Sequence, residues 1–142
     1  MAGRVRVEYN PQGFQRMLDG AVADAVNRAT GKIRDRAKAN ITAGGRVATG
    51  KMRNATVSET AKVEGATVRG RVVTETSYAQ YQHDGTGIHG PKGRPIVPRR
   101  ARVLRFQPKG GAVIFRPQVQ GTRPLPFLKD AVDQAGVGDF LP

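Results

Sequence analysis

One long apolar stripe limits what this sequence can fold into more than any other feature. Apolar side chains recur every three or four residues along it, at Phe14, Leu18, Val22, Ala25, Ala29, Ile33, Ala37 and Ile41. This spacing predicts a helix of about thirty residues, roughly 45 Å long. Asn10-Pro11 is typical of an N-cap followed by proline at the first helical position, and Gly44-Gly45 of a helix end. Gly20 and Gly31 each cost about 1 kcal/mol inside a helix, so a bend or break is an open alternative.

The middle of this stripe is rich in alanine, at Ala25, Ala29 and Ala37. Small side chains let a neighbouring element approach the helix closely. We interpret that neighbour as a sheet of the same chain, and keep a second subunit as the alternative.

Strand patterns occur on both sides of the helix. Residues 4–9 alternate polar and apolar side chains, which is the period of a half-buried strand. Residues 55–63 and 66–74 predict an antiparallel hairpin that turns near Glu64-Gly65. Residues 77–82 predict a short bridge, either helical or extended.

The second half of the chain is rich in turns. Residues 85–98 contain four glycines and three prolines and predict a loop. Residues 101–107 and 112–116 predict two further strands, joined by a turn at Lys109-Gly110-Gly111. A short C-terminal helix is predicted to begin at Pro126, because proline is favoured at the first helical position.

Together these elements predict an α+β fold. A long N-terminal helix packs on one face of an antiparallel sheet, accompanied by an extended basic loop and hairpin and by a short C-terminal helix. The 142 residues suit one domain that spans 1–142. Because the chain has no Trp, five Phe and three Tyr, its core is lean for a free-standing monomer. Contacts with neighbouring copies could add stability.

Positive charge is concentrated in one segment. The formal net charge is +13, and residues 85–129 hold ten of the 24 Lys and Arg and none of the 11 Asp and Glu. We call residues 85–122 the basic arm. Its candidate contact residues are Lys92, Arg94, Arg99, Arg100, Arg102 and Arg105. A field of this sign attracts polyanions or acidic protein surfaces.

The basic arm lacks the structural features by which proteins recognise a base sequence. Its cluster has only Phe106 as an aromatic neighbour, whereas sequence-reading modules place a helix in a groove or stack bases on several aromatics. The cluster therefore suits phosphate contact without base readout, or docking onto an acidic protein ring. A solvated basic loop is the plain alternative.

The residues give little support for catalysis. Without cysteine, disulfides, thiolate metal sites and thiol catalysis are excluded. His83 and His89 have only Asp84 as a nearby acid, which falls short of a catalytic triad or a catalytic zinc site. Neither residues 84–90 nor Thr49-Gly50-Lys51 has the spacing of a phosphate loop. We therefore expect no enzyme, no cofactor and no metal site.

The sequence also gives no sign of export or of a membrane. The first nine residues have no apolar signal region, and no apolar run approaches the length that spans a bilayer. We therefore expect production in the cytoplasm and no membrane partner.

Three short motifs follow the long helix in order. The first is Thr49-Gly50-Lys51-Met52-Arg53. The second is residues 77–87, which contain Tyr78, Gly85 and Thr86. The third is residues 123–132, which contain Pro126 and Phe127.

In this order the motifs resemble those of the phage tail-completion family, the neck-protein group of siphophages that includes lambda-like phages. The family signatures are T-G-x-L-R, YA-x-Y/V-x-E-x-G-T-G and R-P-x-P-F-L-x-x-A. Here Met52 stands in place of Leu, and His83 stands at the position that is commonly acidic. Residues 99–116 resemble an insertion found in members from actinobacterial phages. The resemblance covers most of the chain from Thr49 onward.

The resemblance implies a structural virion protein at the head–tail junction, assembled in the host cytoplasm. It implies a homo-oligomeric ring, hexameric to match the tail tube. The implied partners are other copies of the chain, the head-side adaptor and stopper rings, the tail terminator, the tail tube and, without sequence preference, genomic DNA in the lumen. A free non-specific DNA-binding protein is the alternative.

Simple structural roles can be assigned to the motif residues. Thr49 would place a hydroxyl at a turn beside Gly50, where it can bind local backbone. Tyr78 and Tyr81, three residues apart, are expected to share one face and anchor a contact with a neighbour. Pro126 would begin a helix that turns Phe127 inward onto the sheet.

Overall fold

A computed structural model describes residues 10–45 and 50–142 and begins with helix α1, Pro11–Ala43. The predicted N-cap is present, because the side chain of Asn10 accepts a hydrogen bond from the backbone N–H of Gly13 at 3.0 Å. α1 runs unbroken through Gly20 and Gly31, since glycine weakens a helix without removing any of its hydrogen bonds. The strand predicted at residues 4–9 lies outside the described residues.

The predicted hairpin is confirmed as strand β1, Thr56–Glu64, and strand β2, Thr67–Thr74, which pair antiparallel. A register shift between Glu59 and Lys62 marks an irregularity in β1. There the backbone N–H of Ala61 donates to the side-chain oxygen of Asn27 at 2.7 Å. An α1 side chain therefore satisfies a strand donor at the point where the ladder is disturbed.

Gly70 in β2 lets α1 pack closely on this hairpin. A Cβ atom at Gly70 would lie 2.5 Å from Cγ2 of Thr30 and 2.6 Å from Cγ1 of Val26. The C-terminal half of α1 therefore packs on a sheet of the same chain, as we predicted for the alanine-rich stripe.

We call the described residues outside the basic arm the body. It contains three further α-helices, all short, namely α2, Lys51–Asn54; α3, Ala79–Asp84; and α4, Phe127–Asp133. The bridge predicted at residues 77–82 is therefore helical. α4 begins one residue later than predicted, because Pro126 has a ψ of 55°, outside the helical region. The core consists of six buried side chains, Ala37, Ile41, Met52, Ala79, Phe127 and Ala131.

The strands of the basic arm are shorter than predicted and form a sheet of their own. β3 is Leu104–Phe106 and β4 is Ile114–Arg116, and the two pair antiparallel apart from β1 and β2. Pro108 and Pro117 follow the two strands closely, and proline has no N–H with which to extend a ladder. The α+β class is thus confirmed, with the long helix on a two-stranded antiparallel sheet and a short helix near the C-terminus.

Candidate functional site: the basic arm and its root

The basic arm presents its cations to solvent. All six predicted contact residues are exposed, and so are Lys109 and Arg116. Within the described ranges, none of these eight side chains takes part in an ion pair, whereas cations elsewhere pair with acids. The positive charge predicted for residues 85–122 is therefore uncompensated by neighbouring carboxylates.

The hairpin of the arm also exposes large apolar side chains. In its register Arg105 lies opposite Phe115, and Phe106 lies opposite Ile114. Phe115 is 58% exposed and Phe106 40% exposed. The two strands pack chiefly against each other, and an isolated two-stranded hairpin is at best marginally stable in water. Its surface is therefore suited to contact with a partner.

The root of the arm is a tight crossing of its two ends. The N–H of Thr86 donates to the carbonyl of Thr122 at 2.9 Å, and the N–H of Thr122 donates to the hydroxyl of Thr86 at 2.9 Å. A Cβ atom on Gly87 would lie 2.0 Å from the carbonyl oxygen of Gln120, and one on Gly121 would lie 2.2 Å from that of Thr86. Only glycine fits such a backbone approach, so the crossing depends on both glycines.

A second pair of hydrogen bonds joins the two segments of the arm at a point farther from its root. Ile96 and Val119 form an isolated antiparallel bridge, with N–H to carbonyl distances of 2.8 and 3.0 Å. Gly85 lies behind the crossing with a φ of +80°, and a Cβ atom there would meet the backbone of Pro124 at 2.9 Å. The predicted motif residues Gly85 and Thr86 therefore fix where the arm leaves the body.

The three motifs meet in space. Met52 from the first, Ala79 from the second and Phe127 from the third are all part of the buried core. The ring of His83 stacks edge-on against Phe127, with centroids 5.4 Å apart. The N–H of Leu125 donates to the carbonyl of Gln82 at 2.9 Å. This core lies directly behind the root of the arm.

The motif residues outside the buried core differ in their position and exposure. Gly50 caps the start of α2 with a φ of +73°, which is a turn role as expected. Thr49 lies outside the described residues. Tyr78 and Tyr81 are 37% and 62% exposed, so both rings are accessible at α3. Their contact with a neighbour stays a prediction.

The sequence analysis missed a row of α1 side chains that binds the C-terminal segment. At four-residue spacing, Arg28 donates to the carbonyl of Phe140, Lys32 to that of Gly138 and Asn40 to that of Phe127. Arg36 makes two hydrogen bonds, at 2.5 and 2.8 Å, with the buried carboxylate of Asp139. The four donors at helical spacing were visible in the sequence, but nothing local indicated their acceptors.

The ion pair between Arg36 and Asp139 shifts the pKa of both groups. The hydrogen bonds from Arg36 and from the backbone N–H of Gly136 lower the pKa of Asp139 from 3.8 to about 2. The same pairing raises the pKa of Arg36. The last acid of the chain is therefore a structural anchor for residues 136–140.

The histidines considered in the sequence analysis lie beside the root. Nδ1 of His83 lies 2.8 Å from a carboxylate oxygen of Asp84. Across residues 10–45 and 50–142, no group of three or more His, Asp or Glu side chains is arranged to hold a metal ion. Nor does the described part of the chain contain a helix long and apolar enough to cross a membrane.

The fold and the site define an α+β domain from which a basic arm projects through a glycine crossing. No protein-family model, curated protein or solved structure matches the chain.

Proposed function

We propose that this chain is a structural subunit of the neck of a long-tailed bacteriophage, where copies of it form a ring that joins the DNA-filled head to the tail. The proposal places it in the virion, after assembly in the host cytoplasm. It assigns no catalytic residue and no cofactor.

One observation carries the proposal: the three motifs that resemble the tail-completion family assemble into a single core behind the root of an exposed, unpaired basic arm. A core built in this way would fix the position from which the basic arm projects. The exposed cations and aromatic rings of the arm favour binding to a larger surface over chemistry in a cleft.

A cryo-EM reconstruction of virions of the phage that encodes this chain tests the proposal. We expect a ring of copies between the head-side connector and the tail tube. A nonsense mutation in the gene should leave filled heads and finished tails unjoined. Density for the chain elsewhere in the particle, or infectious particles without the chain, would contradict the proposed function.

We infer that the basic arm binds an acidic protein surface in the neck. Salt-dependent charge complementarity between rings would set their register and speed their encounter. Contact with genomic DNA in the lumen is the other use of the same charge, and it would have to stay weak enough to let DNA pass.

Charge reversal tests the arm directly. Arg99→Glu, Arg100→Glu and Arg102→Glu together should leave the melting temperature near that of the wild type but block head–tail joining. The matched control reverses Arg16, Arg53 and Lys62, three exposed cations outside the arm that form no ion pair among the described residues, and should still permit joining. Normal yields of infectious particles from the arm variant would overturn both uses of the arm.

A free, non-specific DNA-binding protein is the second candidate, favoured by the same unpaired cations. It predicts that the isolated chain binds duplex DNA of any sequence at physiological ionic strength, with affinity that falls steeply as salt rises. The neck proposal predicts weak or undetectable binding under those conditions. Electrophoretic mobility shifts over a salt series separate the two.

A further inference from the structure

The outer edge of strand β2 has backbone groups that no other part of the described chain satisfies. The N–H of Glu75 donates to the carbonyl of Ala55 at 3.0 Å, and from this pair onward the β1–β2 ladder alternates between hydrogen-bonded and non-hydrogen-bonded pairs. The N–H and carbonyl groups of Val68, Gly70 and Val72 therefore point away from β1, and they make no hydrogen bond within the described residues. β2 thus presents unpaired donors and acceptors to an added strand.

The two edges of this hairpin differ. The edge of β1 is interrupted by the register shift between Glu59 and Lys62, where Asn27 already binds the N–H of Ala61. An irregularity of this kind protects an edge against pairing with another strand. β2 contains no proline, and among the described elements it packs extensively only on β1 and α1. The edge of β2 is therefore the one that is suited to pairing.

Residues 4–9 carry the alternation that a strand on this edge requires. Charged side chains fall on one face of the predicted strand, and the apolar side chains on the other face are Val5, Val7 and Tyr9. The even-numbered residues of β2 face α1, because a Cβ atom at Gly70 would contact Val26. A strand that pairs its odd-numbered residues with these positions would therefore extend the apolar face of the sheet beside α1.

An antiparallel strand on this edge brings opposite charges together in one register. The register that sets Glu8 opposite Arg71 also sets Arg4 opposite Glu75. Glu75 is exposed and forms no ion pair in the described part of the chain. A shift of two residues toward the hairpin turn would instead set Arg6 opposite Arg71, and like charges that face each other across strands are destabilising. Charge complementarity therefore favours the first register.

This register sets Tyr9 beside Gly70, a position that only another copy of the chain can fill. Tyr9 directly precedes Asn10, one Cα step of about 3.8 Å away. Gly70 packs at the level of Val26, and the helix between Asn10 and Val26 is about 24 Å long. A strand that continues from its own α1 therefore falls short of this register, whereas the strand of a neighbouring copy does not.

We propose that residues 4–9 of one copy add an antiparallel strand to the outer edge of β2 in the next copy. The two-stranded sheet becomes three-stranded, which is the more stable arrangement. The inference rests on the proposed ring and names its joint. Because a segment of one copy meets a different surface of the next, the contact is head-to-tail, and repeating it around an axis closes a ring.

Disulfide capture tests the register directly, because the chain contains no native cysteine. Arg6 and Val73 are a non-hydrogen-bonded pair in the proposed register, with Cβ atoms about 4.5–5.5 Å apart. A purified Arg6→Cys chain mixed with a Val73→Cys chain should form a cross-linked heterodimer on mild oxidation. Arg6→Cys mixed with Arg69→Cys is the matched control. It should not cross-link, because Arg69 lies on the same face of β2 but about 13 Å out of register.

Two other products would overturn the proposal. A Val73→Cys chain that cross-links efficiently with itself would indicate a symmetric contact between two β2 edges. A double variant, Arg6→Cys with Val73→Cys, that closes a disulfide within one chain would identify the chain's own N-terminal segment as the occupant. Strand addition between copies instead predicts covalent multimers of this double variant.

Proline tests whether backbone hydrogen bonds carry the joint. Val7 pairs with Val72 in the proposed register, so Val7→Pro removes an N–H that donates to the edge of β2. Size exclusion with light scattering should show self-association of the wild type and association weaker by about tenfold or more in Val7→Pro. Ala2→Pro, outside the paired residues, is the matched control and should associate as the wild type does. Unchanged association of Val7→Pro would contradict strand addition.

The results separate this inference from the proposed function. Self-association without an Arg6–Val73 cross-link would place the joint on another surface, while the neck assignment would still depend on the virion map. A wild-type chain that does not associate at the highest attainable concentration, together with cysteine variants that do not cross-link, would also reject strand addition. Specific cross-linking by a chain that the virion map places outside the neck would support the joint and contradict the proposed function.

Discussion

Phe127 of the body has none of its surface exposed, whereas Phe115 of the basic arm is 58% exposed. By body we mean the described residues outside 85–122. The same contrast holds for charge, because Arg36 of the body binds Asp139 while the cations of the arm have no ion pair among the described residues. Phe127 and Arg36 are thus satisfied by contacts within the chain, whereas the arm leaves Phe115 and its cations exposed. Stability and contact are divided between two parts of one small chain.

The sharpest test of this division is the same truncation in both regions. Phe127→Ala removes the largest fully buried side chain and should lower the free energy of unfolding by about 3–5 kcal/mol. Phe115→Ala should change it by no more than about 0.5 kcal/mol, since surface substitutions usually have small effects. Urea denaturation of both variants measures the difference. Equal losses would mean that the arm belongs to the folding core.

The contact between α1 and the hairpin should be the next most sensitive part of the body. Gly70→Ala would force a Cβ atom against Val26 and Thr30 and should cost about 1–3 kcal/mol. Gly20→Ala is the control, because no atom lies within 4 Å of its Cβ position and alanine is the better helix former. It should stabilise the chain by about 1 kcal/mol. Thermal melts should therefore shift in opposite directions.

The Arg36–Asp139 pair predicts how the body responds to acid. Because the folded-state pKa of Asp139 is about 2 and its ordinary value is 3.8, the pair contributes fully above about pH 4. The contribution is lost as pH falls toward 2. The melting temperature of wild type should exceed that of Asp139→Asn at neutral pH, and the gap should close between about pH 4 and pH 2. A gap that stays constant over this range would show that the carboxylate is not held by Arg36.

The smallest expected effect on global stability concerns the root of the arm. Gly121→Ala would place a Cβ atom 2.2 Å from the carbonyl oxygen of Thr86 and should loosen the crossing without unfolding the body. Trypsin should then cut the arm faster than in wild type, while the melting temperature changes little. Gly110→Ala also replaces a glycine of positive φ but meets no atom within 4 Å, so its root should stay intact. Equal cleavage rates for wild type and Gly121→Ala would argue against a fixed root.

The elements that the sequence predicted well are those whose signals are local. Asn10-Pro11 marked the start of α1, Gly44-Gly45 its end, and Glu64-Gly65 the turn of the hairpin. The extent of β3 and β4 was overestimated, because strand length depends on pairing partners as well as on side-chain pattern. Alternation alone also could not show that these two strands form a separate sheet.

At the candidate site, the sequence located the exposed cations of the arm. It did not predict the backbone crossing that holds the root of the arm. Gly85 and Gly87 were expected only to be part of a loop, and Gly121 carried no signal at all. Their close backbone approach joins segments more than thirty residues apart, which no local pattern encodes. The row from Arg28 to Asn40 was missed for the same reason, since its acceptors lie at the other end of the chain.

By itself the sequence determined the long helix, the hairpin and the segregation of positive charge into residues 85–122, because periodicity, capping residues and charge can all be read along the chain. Only the tertiary structure decided which half of α1 is buried, which motifs share a core and which carboxylate Arg36 binds. Those outcomes depend on contacts between distant segments, and such contacts form only once packing has brought the segments together.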